Sequence, residues 1–215
     1  DTSAVDYFTL NYDTLLEDAL ALERIHYSDG FSGGATGWWE QSCFNESVSA
    51  MVFKIHGSID WCQFDDEVLP RRVRPNVASG ASLRKVMIWP AATKYREAQR
   101  DPYAQMISIM RKTLRPDESY EVVLTICGYR FGDAHINIEL DRALRESRER
   151  LTIVAFTEDE LDGQLRMWNE DPSVAKQVRI YGKNGFHHGD VHIGSSGDLP
   201  WWKFENLTRL LRGER

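Results

Sequence analysis

The chain has 215 residues, a net charge of −7, 42% hydrophobic residues and 27% charged residues. That length suffices for one substantial domain with a real core, and the composition is ordinary for a soluble globular protein. The negative balance argues against nucleic acid as the main ligand, and no apolar run reaches the ~18–20 residues of a membrane span.

The elements follow from the pattern of apolar residues. Val5-Asp6-Tyr7-Phe8-Thr9-Leu10 is β-branched and aromatic-rich and predicts a strand. Leu15, Leu16, Ala19, Leu20 and Leu22 recur at helix spacing, with Asp13 placed to cap the helix. Residues 28–47 hold Gly30, Gly33, Gly34 and Gly37 beside Trp38 and Trp39, and read as a surface loop. Met51-Val52-Phe53-Lys54-Ile55 is a second strand. Residues 61–118 are less regular and are read as a small insertion module, with a short strand at Val86–Trp89 and a helix from Tyr103 to Leu114.

Val122-Val123-Leu124-Thr125-Ile126-Cys127 is nearly all apolar, as a central parallel strand requires. Ile136, Leu140 and Leu144 then mark an amphipathic helix, and Leu151–Phe156 another buried strand. A helix over Leu161–Trp168, a strand at Val178–Tyr181 and a helix over Trp202–Leu211 complete the series. Strands alternating with helices predict an α/β, Rossmann-like parallel sheet with helices on both faces, in a single domain over 1–215 with the insertion module inside it.

Three cysteines, Cys43, Cys62 and Cys127, stand at no metal-ligand spacing. A disulfide framework is not expected, and a reducing cytoplasm is favoured. The basic runs Arg71-Arg72-Val73-Arg74 and Arg142, Arg145, Arg148, Arg150 read as solvated faces. His188, Asp190 and His192 would share one face of an extended segment, but no clear fourth ligand stands nearby. A solvent-exposed turn is the preferred reading, and no metal is expected. The aromatic run Trp201-Trp202-Lys203-Phe204 reads as core or interface packing.

Two polar residues fall at strand ends, where open α/β sheets bind ligands. Asn11 follows the first strand, and its uncharged amide either meets a ribose hydroxyl and a water or caps the next helix. His56 follows the second, and an imidazole titrates near neutral pH, as a general base must. Gly57 would let the backbone turn closely past a ligand. A third segment, Gly128-Tyr129-Arg130-Phe131-Gly132-Asp133-Ala134-His135-Ile136-Asn137, joins a strand to a helix, a natural place for nucleotide contact. Asp133 is read there as the helix cap rather than a ribose contact.

Thr9-Leu10-Asn11-Tyr12-Asp13, Lys54-Ile55-His56-Gly57-Ser58 and the Gly128–Asn137 turn resemble, in order, the motifs of the sirtuin-like NAD-hydrolase family. The resemblance implies that Asn11 positions the nicotinamide ribose and a water, and that His56 is catalytic. It implies cofactor-binding roles for Asp13, Gly57, Gly128, Tyr129, Asp133, His135 and Asn137, with cap roles open for Asp13 and Asp133. It further implies NAD as substrate, self-assembly, and an effector role in bacterial anti-phage defence with a partner such as a HerA-type ATPase. Ordinary sirtuins hold a structural zinc with four cysteines, which these three cannot build, so a protein deacylase is disfavoured. A non-catalytic NAD or ADP-ribose sensor and a metal-dependent hydrolase are the other rivals. The family's Gly-rich phosphate loop has no counterpart before Asn11, and the chain is read as a fragment lacking its upstream part.

Overall fold

The computed structural model describes residues 4–34, 36–73, 83–88, 100–158, 161–197 and 199–212. The chain divides into two compact units, Asp1–Met110 and Arg111–Arg215. The fold is mixed α/β and Rossmann-like, with parallel strand pairing in both units.

In the first unit, β1 (Val5–Thr9) leads into α1 (Leu15–Leu22), and β5 (Ala50–Lys54) pairs parallel to β1 with Thr9 opposite Lys54. The short β2 (Tyr27–Ser28) flanks β5 on its other side. The apolar spacing of α1 places Leu16 and Leu20 against Tyr7, Tyr27, Ala50 and Val52. That packing, rather than propensity, stabilises a helix this short.

Residues read as a surface loop form structure instead. β3 (Phe31–Gly33) and β4 (Gly37–Trp39) join β7 (Arg71–Arg72), β6 (Gly57–Phe64) and β8 (Leu83–Met87) in an antiparallel sheet. The glycines serve close packing: a Cβ on Gly30 would lie 2.7 Å from the rings of Trp39 and Phe44. Phe31, Trp39 and Trp61 meet at centroid distances of 5.0–5.9 Å, in the tilted and edge-on geometries aromatic rings prefer. Beside them Arg72 is not a solvated charge: its guanidinium pairs with buried Asp29 and lies over the Phe31 ring. Arg71 pairs with Glu67, and Arg74 lies outside the described residues, as do Trp89 and Pro90. Helix α2 (Tyr103–Thr113) buries Tyr103, Met106, Ile107 and Met110 at the spacing the sequence shows.

In the second unit, β9 (Val122–Cys127), β10 (Leu151–Phe156) and β11 (Val178–Gly182) run parallel, joined through α3 (Ala134–Glu146) and α4 (Gly163–Glu170). An antiparallel extension, β12 (Gly185–His188) and β13 (Val191–Gly194), continues the sheet from β11. The C-terminal helix α5 (Phe204–Leu211) follows a 3-10 turn at Pro200–Trp202. No helix among the described residues is long and apolar enough to cross a membrane.

Arg145 on α3 binds Asp141 and reaches Asp171, just beyond α4. Hydrogen bonds from Ser173 and then the Arg145 guanidinium hold Asp171 down to about 2. A carboxyl held below its unfolded value stabilises the fold above that value and loses the contribution as pH falls through about 2. Arg145→Met should therefore melt below the parent at pH 6, and the gap between the two midpoints should narrow from about pH 4 toward pH 2. Thermal melts across that range test this, and a constant gap would refute it.

Candidate functional site

The first cluster of polar groups sits past the C-terminal ends of β1 and β5. Thr9 and Lys54 are register partners, and Asn11 and His56 each stand two residues beyond them. The two turns are stitched together by backbone: Ile55 N–H donates to the Thr9 carbonyl (3.0 Å) and Ile59 N–H to the Tyr12 carbonyl (2.9 Å). Ser58 Oγ also donates to the Tyr12 carbonyl (3.2 Å), and the Tyr12 hydroxyl donates to the Ile88 carbonyl (2.5 Å). Matched strand ends and short cross-links thus bring the two predicted catalytic residues to one sheet edge.

Their surroundings differ. Asn11 is exposed; its backbone N–H donates to Thr9 Oγ1 (3.1 Å), and its amide makes no hydrogen bond among the described residues. That leaves the amide available to a ligand. His56 is 3% exposed, and its carbonyl accepts from Ile88 N–H (2.8 Å). Asp13 behaves as a capping residue one position earlier than the formal cap Thr14: its Oδ1 accepts from Leu15 N–H (3.1 Å).

Gly57 has a firm structural reason. Its φ is +87°, and a Cβ there would lie 2.3 Å from the Val86 carbonyl oxygen. Gly57→Ala is expected to cost about 2–4 kcal/mol from left-handed strain plus overlap. Urea denaturation checks this; a loss below about 0.5 kcal/mol, the scale of an ordinary surface change, would refute it.

Sequence reasoning did not single out Lys54, and it read Glu17, which fits the family pattern one turn into the helix, as structural. Lys54 is 1% exposed; its Nζ lies 3.1 Å from Glu17 Oε1 and donates to the Asp13 carbonyl. Burial pushes the Glu17 carboxyl up against the opposing pull of Lys54. The available signal was a lysine inside an otherwise apolar strand, which must find an acceptor.

The second unit holds a small cleft of about 150 Å³ past the ends of β9 and β10, lined by Gly128, Tyr129, Arg130, Thr157, Glu158 and Trp202. This is below the roughly 300–1,000 Å³ of a full small-molecule pocket. Gly128 has a φ of +73° with open space where a Cβ would point.

The turn behind the cleft is held from within. The Tyr129 hydroxyl donates to Asn137 Oδ1 (2.8 Å) and accepts from Asp133 N–H (3.2 Å), and Asn137 Nδ2 donates to the Phe131 carbonyl (2.6 Å). Burial pushes the Tyr129 phenol up, keeping it a neutral donor. Tyr129 and Asn137 therefore spend these polar groups on bracing the turn. Asp133 occupies the N-cap position of α3, but its side chain makes no capping bond; its carbonyl accepts from Ile136 and Asn137. His135 is buried in the first turn of α3. Thr157, Glu158 and Trp202 carried no local sequence signal for a cleft.

The histidine cluster resolves as a hairpin. His187 and His192 face each other across β12 and β13 with rings stacked at 4.4 Å, while His188 Nδ1 lies 2.9 Å from the Val178 carbonyl oxygen. His188 and His192 are thus engaged separately; the turn is confined to Gly189 and Asp190, and His187 and His188 are half-buried in β12 rather than in an exposed turn. Cys43 and Cys62 are buried free thiols, and Cys127 is half-buried.

No curated protein matches the chain. The family model of the SIR2-like domain matches residues 5–175, a span that includes Asn11, His56 and the Gly128–Asn137 turn. Domains of this family bind NAD as substrate and are often NAD-dependent enzymes. With that match over most of its length, the chain belongs to the SIR2-like domain family.

Proposed function

We propose that this domain hydrolyses NAD⁺ to ADP-ribose and nicotinamide. The observation that carries the reading is the matched step from Thr9 to Asn11 and from Lys54 to His56, which brings an available amide and an imidazole to one parallel-sheet edge. In this mechanism Asn11 orients the nicotinamide ribose and a water. As the bond from C1′ to the nicotinamide nitrogen lengthens, positive charge builds on the ribose, and an uncharged amide does not oppose it. The water oxygen bonds to C1′ while its proton passes to His56. Nicotinamide leaves neutral with the electron pair of the broken bond, so one proton is released per turnover.

By the family resemblance Gly128, Tyr129 and Asn137 are nucleotide-binding residues, and within their own unit Tyr129 and Asn137 fix the turn that carries Gly128. Asp13, Gly57, Asp133 and His135 are supporting residues of NAD binding by the family resemblance. The same resemblance supports a cytoplasmic effector of anti-phage defence that depletes NAD, assembles with copies of itself and answers to a partner such as a HerA-type ATPase.

A non-catalytic NAD sensor is the second reading, favoured by the deep burial of His56. The deciding experiment follows NAD⁺ conversion by the complete gene product, with and without a co-encoded partner. Turnover to ADP-ribose and nicotinamide supports the hydrolase. Tight NAD⁺ binding with no turnover under every partner condition supports the sensor.

A further inference from the structure

We propose that Lys54 is a positioning residue: its buried ammonium clamps the Asp13 carbonyl and thereby fixes the Asn11 turn beside the strand that leads to His56. The assignment of Asn11 and His56 as the site rests on the function proposed above; the clamp itself rests on geometry.

Lys54 ends β5 and sends its side chain to the entry of α1. There it meets two acceptors at once, the Asp13 carbonyl and Glu17 Oε1. A buried ion pair is weak evidence for stability, because well-packed apolar residues often serve as well or better. Its placement on the Asn11 turn points to another role. The turn from Leu10 to Thr14 carries Asn11, and uncharged groups hold the backbone of Asn11 and Tyr12: Thr9 Oγ1 on Asn11 N–H, and Ile59 and Ser58 on the Tyr12 carbonyl. At Asp13 the holding group is a cation, and charge-assisted hydrogen bonds are roughly twice as strong as neutral ones. Glu17 then acts on Lys54 rather than on the turn, fixing where the ammonium points.

The roles predict different outcomes for different substitutions. Lys54→Met/Glu17→Leu replaces the pair with apolar side chains and removes the clamp without leaving a buried lone charge. It should melt cooperatively, exchange the amides of Asn11–Leu15 about tenfold or more faster, and leave exchange in β1 and β5 unchanged. Its kcat for NAD⁺ should fall about 10–100-fold with KM changed less than about threefold, because misplacing a group disturbs chemistry more than binding. Glu17→Gln removes one charge of a buried pair and should melt earlier, but its amide still gives Lys54 a hydrogen-bond partner beside the Asp13 carbonyl, so kcat per folded molecule should stay within about threefold. If the double variant does not fold, Lys54→Gln serves the same decision with a weaker neutral donor.

Parental exchange at Asn11–Leu15 together with parental kcat in a folded double variant would overturn the proposal. So would a loss in Glu17→Gln as large as that in the double variant. If the parent itself fails to hydrolyse NAD⁺, the hydrolase reading falls. Exchange then decides the clamp alone: faster exchange upholds it and unchanged exchange overturns it.

Discussion

His56→Ala is expected to lower kcat for NAD⁺ hydrolysis about 10²–10⁴-fold, the range lost with a general base. The backbone of His56 is held by Ile88 independently of the ring, so the turn should persist without the imidazole. His56→Gln is the companion variant, since it fills more of the buried space and guards against a packing artefact. Asn11→Ala should cost about 10²–10³-fold, comparable to removing one preorganised polar group from a reacting centre. Asn11 is exposed, so its variant should melt with the parent. Both losses should appear in kcat more than in the affinity for NAD⁺, because both groups are assigned to the attack of water. Steady-state kinetics with product analysis, beside NAD⁺ binding by calorimetry, make the separation. Full turnover in either variant would remove that residue from the mechanism.

Trp61→Ala is expected to destabilise the first unit by about 3–5 kcal/mol, the cost of emptying a buried aromatic site. Trp61 is 1% exposed and touches the rings of Phe31 and Trp39, so no side chain can readily slide into the space. The loss is a large part of a typical domain stability of about 5–15 kcal/mol. Urea midpoints read it directly; a loss under about 1 kcal/mol, no more than trimming one buried methyl group costs, would mean the cluster closes over the gap. Activity per folded molecule should hold, because the Trp61 ring packs with Phe31 and Trp39, whereas the β6 groups that hold the Asn11 turn are Ser58 and Ile59.

Strands with a β-branched or apolar core were readable as such: Val5–Thr9, Ala50–Lys54, Leu151–Phe156 and Val178–Gly182 lie where hydrophobic patterning places them, whereas Val122–Cys127 is a strand but at the edge of its sheet with Val123 and Thr125 exposed, not central and covered as its apolar run suggested. Residues 28–47 were misread because glycine there signals close packing under Trp39 and Phe44, which local sequence does not distinguish from a turn. The short strands β3 and β4 also lack the length that makes alternation visible. The placement of Asn11 and His56 just past two strand ends was legible, because the apolar pattern marks where each strand stops. Arg72 and Lys54 were not, because their partners Asp29 and Glu17 are remote in sequence, and a charged residue reads as exposed until its partner is known. Asn137 was legible as part of a motif, while its internal bond to Tyr129 was not.

Surface turns usually accept insertions and deletions, because their length is not tied to packing. The turns after β1 and β5 should not. Each places a single residue, Leu10 or Ile55, between a paired strand end and its candidate site residue. Adding or removing a single residue at 10 or 55 would shift Asn11 against His56 by about one residue step, roughly 3.3 Å, while leaving both strands intact. Length variation among relatives should therefore gather in the outlying connections, and these two short spans should keep their count even where their letters change.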